Sequence, residues 1–154
     1  MPSFDKLDLK ILRELQQDAR ISNYKLAERV GLSPSPCWRR VKRLEEKGII
    51  DKYVTLLNAN ELNLTVIAYA QILLENHHAD TVQQFDSLIQ QRPEVLECYS
   101  MSGQYDYLLK VVSSSMEAYE EFLSAHLLQI PAVRTANTSF VLKKKKYTSA
   151  LPLG

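Results

Sequence analysis

The first fifty residues repeat apolar positions every three or four residues, the spacing that gives a helix one buried stripe. Residues 5–17 carry Ile11, Leu12 and Leu15 in that spacing, with Asp5 and Asp8 near the positive end of the predicted helix. Ser22 is placed to cap a second helix whose stripe is Leu26, Ala27 and Val30, and Gly31 ends it. Ser33 caps a third, with Pro34 tolerated in the first turn because that N–H would be unpaired anyway. Its stripe is Cys37, Val41 and Leu44, which leaves Arg39, Arg40, Lys42 and Arg43 largely on the other faces. Gly48 closes this helix, and Ile49 and Ile50 return to the core.

Beyond residue 51 the pattern changes to β-branched and aromatic alternation. Tyr53–Leu57 reads as a short strand and 58–63 as a turn-rich connection. The order that follows is strand 66–74, helix 79–90, strand 95–101, strand 105–112, helix 116–128 and strand 133–142. A tight hairpin at Ser102-Gly103-Gln104 joins the two central strands. This βαββαβ order is that of a ferredoxin-like sandwich, so the chain as a whole is α+β. Ile67, Tyr69, Leu109 and Val111 cannot all point at the helices, and the open sheet face implies dimerisation.

Two short helices joined through a glycine turn, the second basic on its outer side, form a helix-turn-helix. Such a second helix fits the DNA major groove, although a three-helix protein-binding bundle shows the same stripe. Charge adds to the picture. The net charge is +1, but residues 1–52 sum to +4 and residues 53–154 to −3. No acid interrupts the stretch between Arg29 and Glu45. The 45% hydrophobic and 24% charged content excludes a disordered chain. No apolar run approaches a membrane span, and the N-terminus lacks the layout of a secretory signal. Cys37 and Cys98, the two cysteines, form no disulfide framework and suit a reducing, cytoplasmic home. His77, His78 and His126 do not join them at metal-ligand spacing, and no nucleophile–base arrangement or phosphate loop is present. No metal, cofactor or catalytic residue is therefore expected. Lys143 to Lys146 read as a guard on an edge strand.

Three stretches in order, LSPSPCWRRVKRLEEKGII (32–50), SGQYDYLLKV (102–111) and IPAVRTANTSFVLKKKKYTSALPL (130–153), resemble the Lrp/AsnC family of transcription regulators. The resemblance covers nearly the whole chain. It implies a winged helix-turn-helix in residues 1–51, a linking strand and connection in 52–63, and a ligand-sensing, oligomerising ferredoxin-like domain in 64–154. It also implies homodimers that assemble to tetramers or octamers on double-stranded DNA, and an amino-acid effector beside the glycine-containing hairpin. The candidates for DNA contact are Ser33, Ser35, Pro36, Arg39, Arg40, Lys42 and Arg43. Those for the effector are Ser102, Gly103, Gln104, Tyr105, Asp106, Thr135, Asn137 and Thr138. Among these, Asp106 would meet the ammonium group and the turn N–H groups the carboxylate.

Two departures stand out: Pro131-Ala132-Val133 replaces the family's usual Pro-Gly-Val, and Trp38 stands where many members have a smaller aliphatic residue. Trp38 reads as core or edge packing, against Leu12 or the hairpin, ahead of stacking on DNA. Two rivals remain: a ligand-independent DNA-binding or architectural regulator, which the alanine keeps open, and an amino-acid-handling enzyme on the second domain.

Overall fold

The computed structural model describes residues 5–153; Met1–Phe4, read above for a signal layout, lie outside the described residues, as does Gly154. The chain divides into two compact units, Met1–Leu56 with Lys146–Gly154, and Leu57–Lys145.

The first unit holds three helices: α1 (Lys6–Gln17), α2 (Asn23–Val30) and α3 (Pro34–Glu46). At the head of α1 the Asp5 carboxylate accepts the Asp8 N–H at 2.8 Å, and the Asp8 carboxylate accepts the Asp5 N–H at 3.4 Å. This reciprocal capping satisfies donors that have no partner inside a helix. Ser22 caps α2 through the Lys25 N–H. Gly31 ends α2 at φ 76°, a left-handed conformation that suits a residue without a Cβ.

Ser33 precedes α3 as expected, but its side chain makes no capping bond. The sequence supplies the reason. A capping oxygen needs an N–H two or three residues on, and Pro36 removes the second of these donors. Asn23 instead ties the turn together, its side-chain amide donating to the Pro34 carbonyl at 2.8 Å. Ile11, Leu26, Ala27, Val30, Cys37 and Leu44 form the buried core between the helices.

Residues 53–57 are not a strand. Tyr53, Val54, Leu56 and Leu57 are 48–71% exposed, and a strand exists only where another strand completes its ladder. The described residues provide none there, and show no wing hairpin after α3. The tail also differs from its expected place, because Lys146–Gly154 belongs with the helical unit. The Gln16 side-chain amide acts as a strand edge for it. It donates to the Leu151 carbonyl at 3.2 Å and accepts the Leu151 N–H at 2.6 Å. Arg13 donates to the Leu153 carbonyl.

The second unit is an antiparallel sheet of β1 (Val66–Leu74), β2 (Val95–Ser100), β3 (Tyr107–Ser113) and β4 (Val133–Phe140) in the order β2-β3-β1-β4. Helices α4 (Ala79–Gln90) and α5 (Met116–Phe122) complete the ferredoxin-like sandwich. The period of two along β1 sends Ala68, Ala70, Ile72 and Leu74 into the core. Leu109 and Val111 pair in register with Ala70 and Ala68 and are fully buried with them. Of the four residues that could not all face the helices, Ile67 and Tyr69 therefore take the other face.

The helix expected to run to residue 128 changes its winding. Leu123–Leu127 is a π turn, closed by the Leu128 N–H on the Leu123 carbonyl at 2.8 Å. Regular spacing from Phe122 would bury His126. The wider turn buries Leu127 instead and leaves His126 partly exposed. Ala132 sits in the core with an ordinary backbone angle, so this turn does not require the family's glycine.

Replacing Gly31 with Ala should lower stability by about 1 kcal/mol, the cost of a left-handed angle for a residue with a Cβ. Beyond the adjoining residues nothing lies within 4 Å of the added carbon, so the cost is the backbone's alone. Asn at this position should recover part of it. Urea unfolding of the three proteins checks the order; equal stability of all three would refute it.

Candidate functional sites

Buried Cys37 and Leu44 place one side of α3 against the core, and the opposite side faces solvent. The four cations of this helix have different fates. Asp8, only 1% exposed, lies under two of them. Arg40 donates to Asp8 at 2.7 Å and to Asp5 at 2.6 Å, while Arg43 donates to both Asp8 oxygens at 2.6 and 2.8 Å. The Asp8 N–H and then the Arg40 guanidinium hold the Asp5 carboxyl below its ordinary range, and bonds to the Asp5 and then the Asp8 carboxylate raise Arg40. A buried carboxylate thus crosslinks α1 to α3.

Lys42 donates to Glu45 at 2.7 Å, which raises the lysine and lowers the glutamate. Glu45 also accepts the Tyr53 hydroxyl at 3.0 Å, and burial together with this carboxylate pushes the phenol up to about 12. Arg39 is exposed, with no hydrogen-bond or ion-pair partner among the described residues. Ser33 and Ser35 are exposed at the start of the helix, and Pro36 is partly buried. Trp38 is 52% exposed, so it lies at the edge of the core and not inside it.

In the second unit the hairpin turns through Ser102–Gln104 and closes with the Met101 N–H on the Asp106 carbonyl at 2.8 Å. Gly103 lies at φ 129°, a region that side chains rarely enter. The structure joins Tyr105 to Asn137, whose side-chain amide donates to the phenol oxygen at 3.1 Å. Thr135 and Asn137 are exposed. Thr138 is drawn elsewhere: it pairs with Ala70 across the strands, and its hydroxyl bonds that of Tyr119 at 2.6 Å.

Asp106 is more engaged than the sequence suggests. One oxygen accepts the Leu74 N–H at 2.8 Å and the other meets His77 Nε2 at 2.6 Å. The Leu74 N–H first, and His77 after it, hold this carboxyl below the ordinary range. No spacing rule in the sequence links His77 to a residue 29 positions later. No group of three metal-ligating side chains exists among the described residues. Cys98 is accessible, but partial desolvation, with Asp86 adding to it, raises the thiol to about 11.

A helix-turn-helix with an exposed basic face, coupled in one chain to a ferredoxin-like unit with a polar hairpin, defines a two-domain DNA-binding regulator. Comparison with known proteins agrees. A winged helix-turn-helix DNA-binding model matches residues 4–51, and the Lrp/AsnC ligand binding domain matches residues 67–151. The chain belongs to the Lrp/AsnC family of transcription regulators, which are regulators rather than enzymes.

It is 42% identical to the leucine-responsive regulatory protein of Klebsiella pneumoniae over 96% of this chain and 90% of that one. It is also 42% identical to the transcriptional regulator AzlB of Bacillus subtilis, over 97% and 95%. Among solved structures, the Neisseria meningitidis regulator NMB0573 in complex with L-Met superposes with a TM-score of 0.95 at 41% identity, over 98% of this chain and 97% of that one. No helix among the described residues is long and apolar enough to cross a membrane.

Removing the positive charges of Arg40 and Arg43 together should destabilise the helical unit by about 3 kcal/mol, since it strands a buried carboxylate. Adding Asp8→Leu to that double variant should restore most of the loss. Urea unfolding measures both, and a double variant as stable as the parent would show that Asp8 does not need them.

A second expectation concerns pH. The folded Asp106 carboxyl lies below its unfolded value, so between the two the unfolded chain binds the extra proton and stability rises with pH. The contribution is present above the ordinary carboxylate value and is lost as pH falls through the folded one. Asp106→Asn should flatten this acid-side slope in urea unfolding; an unchanged slope would show that its hydrogen bonds contribute nothing.

Proposed function

We propose that the chain reads a specific double-stranded DNA site with the outward face of α3, and that an amino acid changes its assembly or its affinity for DNA. The observation that carries the first part is the exposed face of α3, where Arg39 has no partner among the described residues, within a matched helix-turn-helix. On this reading Arg39 supplies the principal charge to DNA, Lys42 adds its own on leaving Glu45, and Ser33 and Ser35 meet phosphate at the helix start. Pro36 lies beside them. Arg40 and Arg43 act mainly by holding α3 to α1 and present their remaining N–H groups to the backbone.

The effector reading is supported by the Neisseria complex, a relative with L-Met bound. A free amino acid requires anion donors, a cation acceptor and room for its side chain. The turn Ser102–Gln104 offers backbone N–H groups, and Tyr105, Asn137 and Thr135 offer polar side chains nearby. Asp106 offers its remaining lone pairs to the ammonium group, with His77 beside it. Thr138 supports this wall from behind through Tyr119. The working form is a cytoplasmic homodimer that assembles further, and the ligand acts by favouring one assembly over another.

A ligand-independent regulator is the second reading, and one observation favours it. Both oxygens of Asp106 already serve the fold.

Fluorescence anisotropy with labelled DNA from upstream of the protein's own coding sequence, across a salt series and with each common amino acid, tests both parts. Affinity should fall steeply with salt, and Arg39→Ala should weaken binding and reduce the log–log salt slope by about 0.9, the value of one phosphate contact. Salt-insensitive binding, or an Arg39→Ala protein that binds like the parent, would refute the assigned face. If no amino acid shifts the curve or the sedimentation profile, the ligand-independent reading replaces the effector reading.

A further inference from the structure

Trp38 is the one tryptophan of the chain and has no role in the core beneath it. Cys37 and Leu44 of the same helix are 0% exposed, whereas the tryptophan leaves 52% of its surface to solvent. On α3 it is three residues from Ser35 and four from Lys42, the spacings that bring side chains together on a helix surface. Arg39 has the complementary spacings to the same two residues. Ser35, Trp38, Arg39 and Lys42 therefore form one exposed diamond, with an indole at one corner and a free guanidinium at the opposite one. An apolar ring set among cations suits a partner that is negatively charged overall and carries small apolar groups at fixed depth. The DNA major groove is such a partner, because each thymine projects a methyl group between the two phosphate chains.

We propose that Trp38 is a specificity-determining residue whose indole packs against a thymine methyl group in the major groove. This rests on α3 being the DNA-reading helix, as proposed above. The indole reads the base while Arg39 and Lys42 provide charge, so loss of Trp38 relaxes sequence preference and loss of Arg39 lowers affinity for all sequences.

The single tryptophan makes the test direct. With the full-length protein and the same upstream DNA, tryptophan emission should change on binding and become protected from acrylamide. Each thymine in the footprint is then replaced in turn by deoxyuridine, which removes the methyl group and keeps the base pair. At least one replacement should weaken the parent about fourfold, which corresponds to the ~0.8 kcal/mol of one buried methyl group. The same replacement should leave Trp38→Ala unaffected, and that variant should discriminate less between this DNA and an unrelated duplex.

Trp38→Phe, which keeps an apolar ring, should retain part of the deoxyuridine effect and serves should the alanine variant fold poorly. The protection experiment needs no variant at all. Salt-dependent binding with an unprotected indole, or a deoxyuridine penalty identical in parent and Trp38→Ala, overturns the inference and leaves the DNA reading intact. A protected indole with no penalty at any thymine also overturns it, since the ring would then rest on the sugar-phosphate chain. Absence of salt-dependent binding would remove the DNA reading and this inference with it.

Discussion

The helical unit is organised around one carboxylate. Asp8 lies almost wholly out of water, in a core otherwise built of Ile11, Leu26, Ala27, Val30, Cys37 and Leu44. Desolvating a carboxylate costs several kcal/mol unless its lone pairs are met, and here two guanidiniums meet them. The same residue closes the head of α1 by exchanging hydrogen bonds with Asp5. Cap, crosslink and orientation of α3 thus depend on one side chain. Cys37 and Leu44 turn one side of α3 inward, and the bonds to Asp8 draw Arg40 and Arg43 toward α1.

That division of labour changes how a basic helix is read. Four cations in five positions look alike in a sequence, and as a set they suggest a single polyanion-binding patch. Their partners separate them. Two are fastened to an acid more than thirty residues earlier, one is fastened to an acid on its own helix, and Arg39 has no partner among the described residues. Periodicity placed most elements of both units and the buried stripes of the helical one, because the period reports burial directly. Asp5 and Asp8 were visible near the positive end of α1, but their role as partners to α3 depends on a helix crossing that periodicity does not encode.

The misses share that cause. Tyr53–Leu57 has the composition of a strand, yet composition cannot provide the neighbour that would make it one. Ser33 has the identity of a cap, but the proline three residues later deprives it of a donor. The π turn after α5 follows from a choice between burying Leu127 and burying His126, which appears only when the sheet beneath is known. At the hairpin, the sequence located the turn at Ser102–Gln104 with Asp106 at its shoulder. It did not reveal that Leu74 and His77 occupy Asp106, since those contacts join the end of one strand to the loop before another.

Coupling between effector and DNA, on the proposed reading, needs a ligand that binds one state more tightly than another, because equal affinity shifts nothing. Asp106 supplies a physical basis for such a difference. Its carboxylate already terminates β1 through the Leu74 N–H and holds His77, so an ammonium group arriving there competes with bonds that the fold itself uses. A ligand that leaves those bonds in place gains only surface contacts. One that takes His77's position does so on the carboxylate whose other oxygen holds the end of β1, the strand on which both β3 and β4 are paired. Sensitivity to the ligand and stability of the sheet are then two readings of one carboxylate.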